Sequence, residues 1–255
     1  MTQFYLTQTL NELLETYFYE FASGKRVLAD LMPEIYYVIK NHFETDLTEQ
    51  LNIDYYENNK LITSFQKNIS SWSIARNYKQ TKEITDFIYL NKGTLTEKVI
   101  TDFLTSSKSR YNNAWLDTEL RTFRSQINNV NNWYSTPSGP DVMLRYSTAN
   151  DERVRHSHAI LDGLTMPKND PRWTYLYPPP SSSPYNCRCR VIVVYDVPST
   201  SDVDGVVRDL ARAQKQTIQQ VEKNQHPAFT GKFFNENETY FIGTPKKIIN
   251  SNVSK

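Results

Sequence analysis

Through the first half of the chain, apolar residues return every three or four positions, which is the period of an amphipathic helix. Leu6, Leu10, Leu13, Leu14, Tyr17 and Phe21 share one face of a helix over about residues 5–21, and Gly24 supplies its stop. A second stripe runs from about Val27 to Phe43 with Pro33 inside it. Proline lacks the amide donor and fixes its own φ, so a helix starts, kinks or divides at that residue. After an Asn-rich polar stretch near residues 52–60, Leu61, Phe65, Ile69, Trp72 and Ala75 predict a third helix, and Ile84, Phe87 and Ile88 a short fourth. Thr94 and Glu97 have the spacing of a capping box, in which each side chain bonds the other's backbone amide, so another helix is expected to begin there. From about Ser109 to Trp133, the residues Trp115, Leu116, Leu120, Phe123, Ile127, Val130 and Trp133 sustain the longest predicted helix. Its polar side, with Arg110, Arg121, Arg124, Asn128, Asn129 and Asn131, is expected to face solvent.

The period changes after Pro137-Ser-Gly-Pro140, which cannot continue a helix. Val142, Leu144 and Tyr146 alternate with polar neighbours as in a half-buried strand. A short helix is expected from near Arg155, with Gly163 as the left-handed residue just past its end. Residues 165–186 read as an ordered loop, proline-rich and anchored by Trp173, Tyr175 and Tyr177. The β-branched run from Arg188 to Tyr195 predicts a strand that pairs with the one over 142–147. One helix is expected from about Ser201 to Val221, a strand-like segment at Thr239–Ile242, and a frayed tail from Lys246 onward. The fold class is α+β: a mainly helical N-terminal part with a small C-terminal unit of short strands and helices.

Composition removes several function classes. A net charge of +1 gives no global field for nucleic acid or anionic membrane, so such binding needs a local patch; Arg188, Arg190, Arg208, Arg212 and Lys215 are the candidates for weak, non-specific DNA contact. With seven glycines there is neither a G-x-G-x-x-G nor a Walker A loop, and nucleotide-dependent chemistry is not expected. The N-terminal residues carry charges and no basic leader, and no apolar run reaches the roughly 20 residues of a membrane span. No membrane partner is expected, and no small-molecule substrate can be named.

The chemistry gathers in residues 150–195. Cys187 and Cys189, the two cysteines of the chain, are one residue apart. On an extended backbone they point to the same side with Cα atoms about 6.5–7 Å apart, which suits a shared ligand better than a mutual disulfide. They are small buried residues at a strand start, thiolate ligands, or a redox or nucleophilic pair, and thiolates with a nearby histidine are a usual zinc set. His158 is a core histidine or the third ligand. His156 lies about 200° away around a helix and cannot reach the same ion. Asp151 or Asp162 could complete the set. Asp151, Arg155 and Asp162 otherwise read as a charge network pinning the turn, and Trp173 with Tyr177-Pro178-Pro179 as a hydrophobic lid over the Cys-Arg188-Cys strand.

The same residues carry a family resemblance. Asp151-Glu-Arg153-Val154-Arg155-His-Ser-His158-Ala-Ile-Leu161-Asp162-Gly163, then Asp170-Pro171-Arg-Trp173, then Tyr177-Pro178-Pro179, then Cys187-Arg188-Cys189 resemble, in order, the signature of the phage Mu F-like minor head proteins, also called phage head morphogenesis proteins. His156 stands where that signature usually has proline, and Ser-Pro-Tyr-Asn where it has Gly-Trp or Gly-His before the cysteines. The motif's histidine falls on His158, which puts the ligand reading level with that of a core histidine. The resemblance implies a virion or prophage component, present in few copies, that associates with portal or capsid proteins during head assembly and DNA packaging. It also implies localisation at the head interior or portal vertex, after assembly in the host cytoplasm. It divides the chain into an N-terminal helical docking region (1–60), the head-morphogenesis region (61–197) and a C-terminal helix and tail (198–255). Mu F-like regions also occur joined to toxin modules, so a metal-dependent hydrolase or toxin-like effector is the alternative; no catalytic residue is assigned.

Overall fold

In this computed structural model the described residues are 3–139, 141–178, 185–235 and 239–253. Pro140, the whole proline and serine run at 179–184 with Pro179 of the predicted lid, and the last two residues of the tail lie outside them. The chain divides into two compact units that interleave in sequence: unit 1 comprises residues 1–49, 66–120 and 236–255, and unit 2 residues 50–65 and 121–235.

Unit 1 is helical. Helix α1 (Gln3–Ala22) buries Leu6, Leu10, Leu14, Tyr17 and Phe21 of the predicted stripe and Phe18 besides, with Leu13 only partly buried, and α2 (Pro33–Gln50) buries Ile35, Ile39, Phe43 and Leu47. Pro33 opens α2 at the first helical position, where its missing amide costs nothing. Each such buried side chain contributes about 1.5–3 kcal/mol of transfer free energy. Helix α3 (Tyr55–Leu90) covers 36 residues with a kink at Asn58, which lies outside helical φ/ψ, and is unbroken beyond it. The third and fourth predicted helices are therefore one: the gap between their apolar stripes is filled by Arg76, Asn77, Gln80 and Thr81, all buried. Polar residues there hid the helical period from a hydrophobicity reading. Helix α4 (Glu97–Ser107) is capped by Thr96, whose hydroxyl accepts from the Val99 amide, and not by Thr94, whose hydroxyl donates to the Asn91 carbonyl.

After α4 the backbone widens into a π-helical stretch, Lys108–Trp115, before α5 (Leu116–Ser135). Wider turns leave carbonyls available for side chains. The Tyr111 carbonyl accepts from Arg76 Nη2 at 2.5 Å, and Arg76 Nε donates to Glu119 Oε2 at 3.0 Å. The Tyr240 hydroxyl donates to the other Glu119 oxygen at 2.5 Å, and its ring lies 5.8 Å from that of Trp72. A charged pair thus sits in the core of unit 1, braced on three sides. The predicted strand at Thr239–Ile242 is a turn, and Lys246–Val253 forms α11, where fraying was expected. Tyr240 is spent on the buried pair, not on a strand ladder.

Unit 2 is built on a three-stranded antiparallel sheet of order β2-β1-β3: β1 (Met143–Ser147) in the centre, β2 (Thr165–Pro167) and β3 (Arg190–Val194) at the edges. Leu144 faces Met166 on one side and Val193 on the other, and Tyr146 pairs with Val191. The predicted pairing of the two strands is observed, and Leu144 and Tyr146 point inward. Between the strands run a single turn α6 (His156–Ala159) and a second turn α7 (Trp173–Leu176). The stretch expected to be a plain loop therefore contains β2 and α7. The predicted helix over 201–221 is divided into α8 (Val203–Gln214) and α9 (Ile218–Lys223) by Lys215 in the left-handed region, and Thr217 with Gln220 forms a capping box for α9. The short α10 (Pro227–Thr230) follows.

Candidate metal centre

The core of unit 2 contains Leu144, Tyr146, Leu161, Trp173, Tyr177, Val191, Val207 and Leu210, and the two cysteines are part of it. Asn186, at φ +57°, turns the chain immediately before Cys187; asparagine tolerates this left-handed backbone better than most residues. The Asn186 amide donates to Thr122 Oγ1 at 3.1 Å, and Ser125 Oγ donates to the Cys187 carbonyl at 3.3 Å, so α5 holds the segment in place. Beyond it the extended alternation turns Cys187 and Cys189 inward and Arg188 outward.

His158 comes from α6. The helix begins at His156, where the related signature has its proline, and Gly163 at φ +80° lets the chain turn back toward β2. This places His158 inward, 2% exposed, while His156 is exposed. Its Nδ1 lies 3.5 Å from Cys187 Sγ and 3.5 Å from Cys189 Sγ. A ring nitrogen has one in-plane hydrogen-bonding position, so it cannot serve two thiols equally. Three soft donors converging on one point can serve one ion. The three ligand atoms lie within 4.8 Å of one another, and among the described residues this is the group able to hold a metal.

The thiols are electrostatically unequal. The Cys187 thiol, opposed by burial and supported by His158 and the neighbouring Tyr146, holds the Cys189 thiol well below its usual range, while Cys189 and burial push the Cys187 thiol up. Tyr146, on β1, completes the wall; burial first, then the two sulfurs, raise its phenol well above the usual range. The strand pattern placed Tyr146 inside, but its position against the thiols depends on the register of β1 with β3. His158 Nε2 is buried without a hydrogen-bond partner among the described residues.

The other predicted residues stand around this centre. Asp151 receives both terminal guanidinium nitrogens of Arg188, each at 2.7 Å, and is not part of the convergent group. The Arg188 contact holds its carboxyl below the usual range. Arg155 donates to the Tyr185 carbonyl at 2.5 Å, and Asp162 accepts from the amide and hydroxyl of Thr148 at 2.7 and 2.9 Å. Asp151, Arg155 and Asp162 thus brace three separate segments, where the sequence suggested one mutual network. Trp173 is fully buried and donates from its indole to the Pro167 carbonyl at 3.0 Å, and its ring lies 6.1 Å from Tyr177 in an edge contact. Asn129, expected on a solvated face, is buried and donates to the Pro178 carbonyl at 3.1 Å.

Of the expected basic strip, Arg188 is paired with Asp151, Arg208 with Asp202 at 3.7 Å and Arg212 with Asp209 at 3.0 Å. Carboxylates offset much of its charge. Among the described residues no helix is long and apolar enough to cross a membrane.

No curated protein and no solved structure matches the chain. A family profile described as Phage Mu protein F like protein matches residues 58–192, more than half of the chain, and spans β1, α6, the Trp173 turn and both cysteines. With that match on the motif that builds the centre, the chain belongs to the phage Mu protein F-like family, the family of phage head morphogenesis proteins.

Proposed function

We propose that the protein is a minor head protein of a phage or prophage, which joins the head during assembly by associating with portal or capsid subunits, and that His158, Cys187 and Cys189 hold a structural zinc. Family membership supports the head role. The observation that carries the zinc reading is the pair of equal 3.5 Å separations between the imidazole nitrogen and the two sulfurs. Zinc–sulfur bonds of about 2.3 Å and zinc–nitrogen bonds of about 2.0–2.1 Å at a tetrahedral angle put nitrogen and sulfur about 3.5–3.6 Å apart. The ion would tie α6 to the start of β3 across about 30 residues of chain, in a unit whose sheet has three short strands. Such an ion contributes on the order of 10 kcal/mol in small zinc-dependent folds.

Elemental analysis of the full chain purified without chelator tests the metal. The expected result is about one zinc per chain, lost together with the thermal stability of unit 2 in Cys187→Ser and His158→Ala. A chain without metal, melting identically in both variants, overturns the zinc reading.

For association, the apolar faces of α1 and α2 are already buried within unit 1, so docking falls to their exposed aromatics. Tyr5, Tyr19 and Tyr37 are 61, 57 and 54% exposed. Replacing all three by serine in the full chain, co-expressed with portal and capsid subunits, should weaken capture by tenfold or more, since an aromatic anchor contributes about 1–2 kcal/mol or more. Capture of the unaltered chain by neither subunit would refute the association. Removing residues 1–45 is a poor substitute test, because it takes away half of the apolar core of unit 1.

A further inference from the structure

We infer that the metal centre is open on one side and takes its fourth ligand from outside the chain, as an anionic or neutral oxygen or nitrogen donor entering through an arginine-rimmed hollow; this rests on the metal reading above. Three protein donors converge, whereas a tetrahedral ion needs four. The two carboxylates nearest in sequence are already committed. Asp151 is clamped by both terminal nitrogens of Arg188, and Asp162 holds the Thr148 amide and hydroxyl, so bringing either to the ion would break two hydrogen bonds.

What the structure offers in their place is space. A small, partly open hollow of about 10 Å³ is lined by His158, Cys187 and Cys189, near the least volume that admits one water. Its lining includes Arg153, Arg155 and Arg188, and among the described residues the Asp151 carboxylate is paired with Arg188. Two thiolates neutralise a divalent ion, so the local field at the mouth stays positive and favours an anionic donor. A solvent molecule fills the position by default; an anion such as azide, or a carboxylate presented by a partner, shares the same chemistry and displaces it. The small hollow admits one donor atom, with the rest of the ligand lying outward among the guanidinium groups.

The test replaces zinc by cobalt(II) in the full chain and follows its visible absorption, which reports the ligand set directly. Titration with azide should shift the bands saturably. Arg153→Gln, which removes a rim charge that makes no hydrogen bond to the centre, should weaken azide binding about two- to fivefold, the range for an exposed charge contact. Asp151→Asn and Asp162→Asn should leave the cobalt spectrum without azide unchanged. Bands that form but ignore azide and thiocyanate overturn the open position while leaving the metal reading intact. A spectrum altered by either carboxylate variant puts a protein oxygen in the fourth place and likewise overturns it. Failure to bind cobalt or zinc at all removes both readings.

Discussion

His226 makes the stability of unit 2 sensitive to mild acid. It caps α10, its Nδ1 accepting from the Ala228 amide at 3.0 Å, and its own amide donates to the Thr174 carbonyl at 2.8 Å. The ring is 1% exposed, 4.8 Å from Tyr177 and 6.3 Å from Phe229. An imidazolium there would lose water on every side and turn the accepting nitrogen into a donor facing a donor. Burial accordingly pulls its pKa from 6.5 to about 3. The folded value is depressed, so the unfolded chain takes up a proton that the folded chain refuses. The contribution is complete above pH 6.5 and is lost as pH falls toward 3. Between pH 6.5 and 4.5 the loss approaches about 1.4 kcal/mol per pH unit, in total about 2–3 kcal/mol. Urea melts of the wild type and of His226→Asn at half-unit pH steps measure it. Asparagine keeps the cap and cannot charge, so the variant should start less stable, through lost ring packing, but decline more gently. Parallel curves for the two proteins across this window would refute the reasoning.

Other perturbations follow from the same contacts. Glu119→Gln strands Arg76 in the core of unit 1 and should cost about 3–5 kcal/mol, whereas the double change Arg76→Met with Glu119→Leu should recover most of it, as checked by a double-mutant denaturation cycle. Gly231→Ala places a Cβ 2.3 Å from Ser64 Cβ at φ +68° and should cost about 2 kcal/mol or more, while Gly163→Ala meets no atom within 4 Å and should cost only left-handed strain, about 1 kcal/mol, by thermal melting. Below pH 4, protonation of Asp170 should release Arg172: its carboxyl is held low by that guanidinium, so the stability it adds is present above the usual carboxylate pKa and lost as pH falls. Asp170→Asn should flatten the most acidic part of the melt series.

Elements whose inner faces are purely apolar could be read from the chain. The stripe of α1, the start of α2 at Pro33 and the pairing of β1 with β3 all follow from local periodicity and from residue types that fix backbone geometry. Where burial is polar, periodicity is silent. The middle of α3 carries Ser73, Arg76, Asn77, Gln80 and Thr81 inside, and α5 carries Thr122, Gln126 and Asn129 inside. A hydrophobicity reading assigns each of these to solvent. The division of α8 from α9 did leave a signal, the Thr217 to Gln220 capping box, which outweighs a continuous apolar stripe because it satisfies two backbone donors at once.

The candidate centre shows the same division between type and register. Cys187, Cys189 and His158 could be selected because their donor atoms are soft and their spacings allow one inward face, and His156 could be set aside on the angle between successive side chains. Asp151 was the natural fourth ligand only while Arg188 had no assigned direction. Once the cysteine alternation turns Arg188 outward, its guanidinium meets Asp151 with two matched hydrogen bonds, and the carboxylate is committed to that partner. The geometry that makes two sulfurs face one imidazole is thus the same geometry that removes the nearest carboxylate. A C-x-C pair with a charged middle residue turns two sulfurs to the face that His158 meets and, by the same alternation, sends the middle guanidinium out to Asp151.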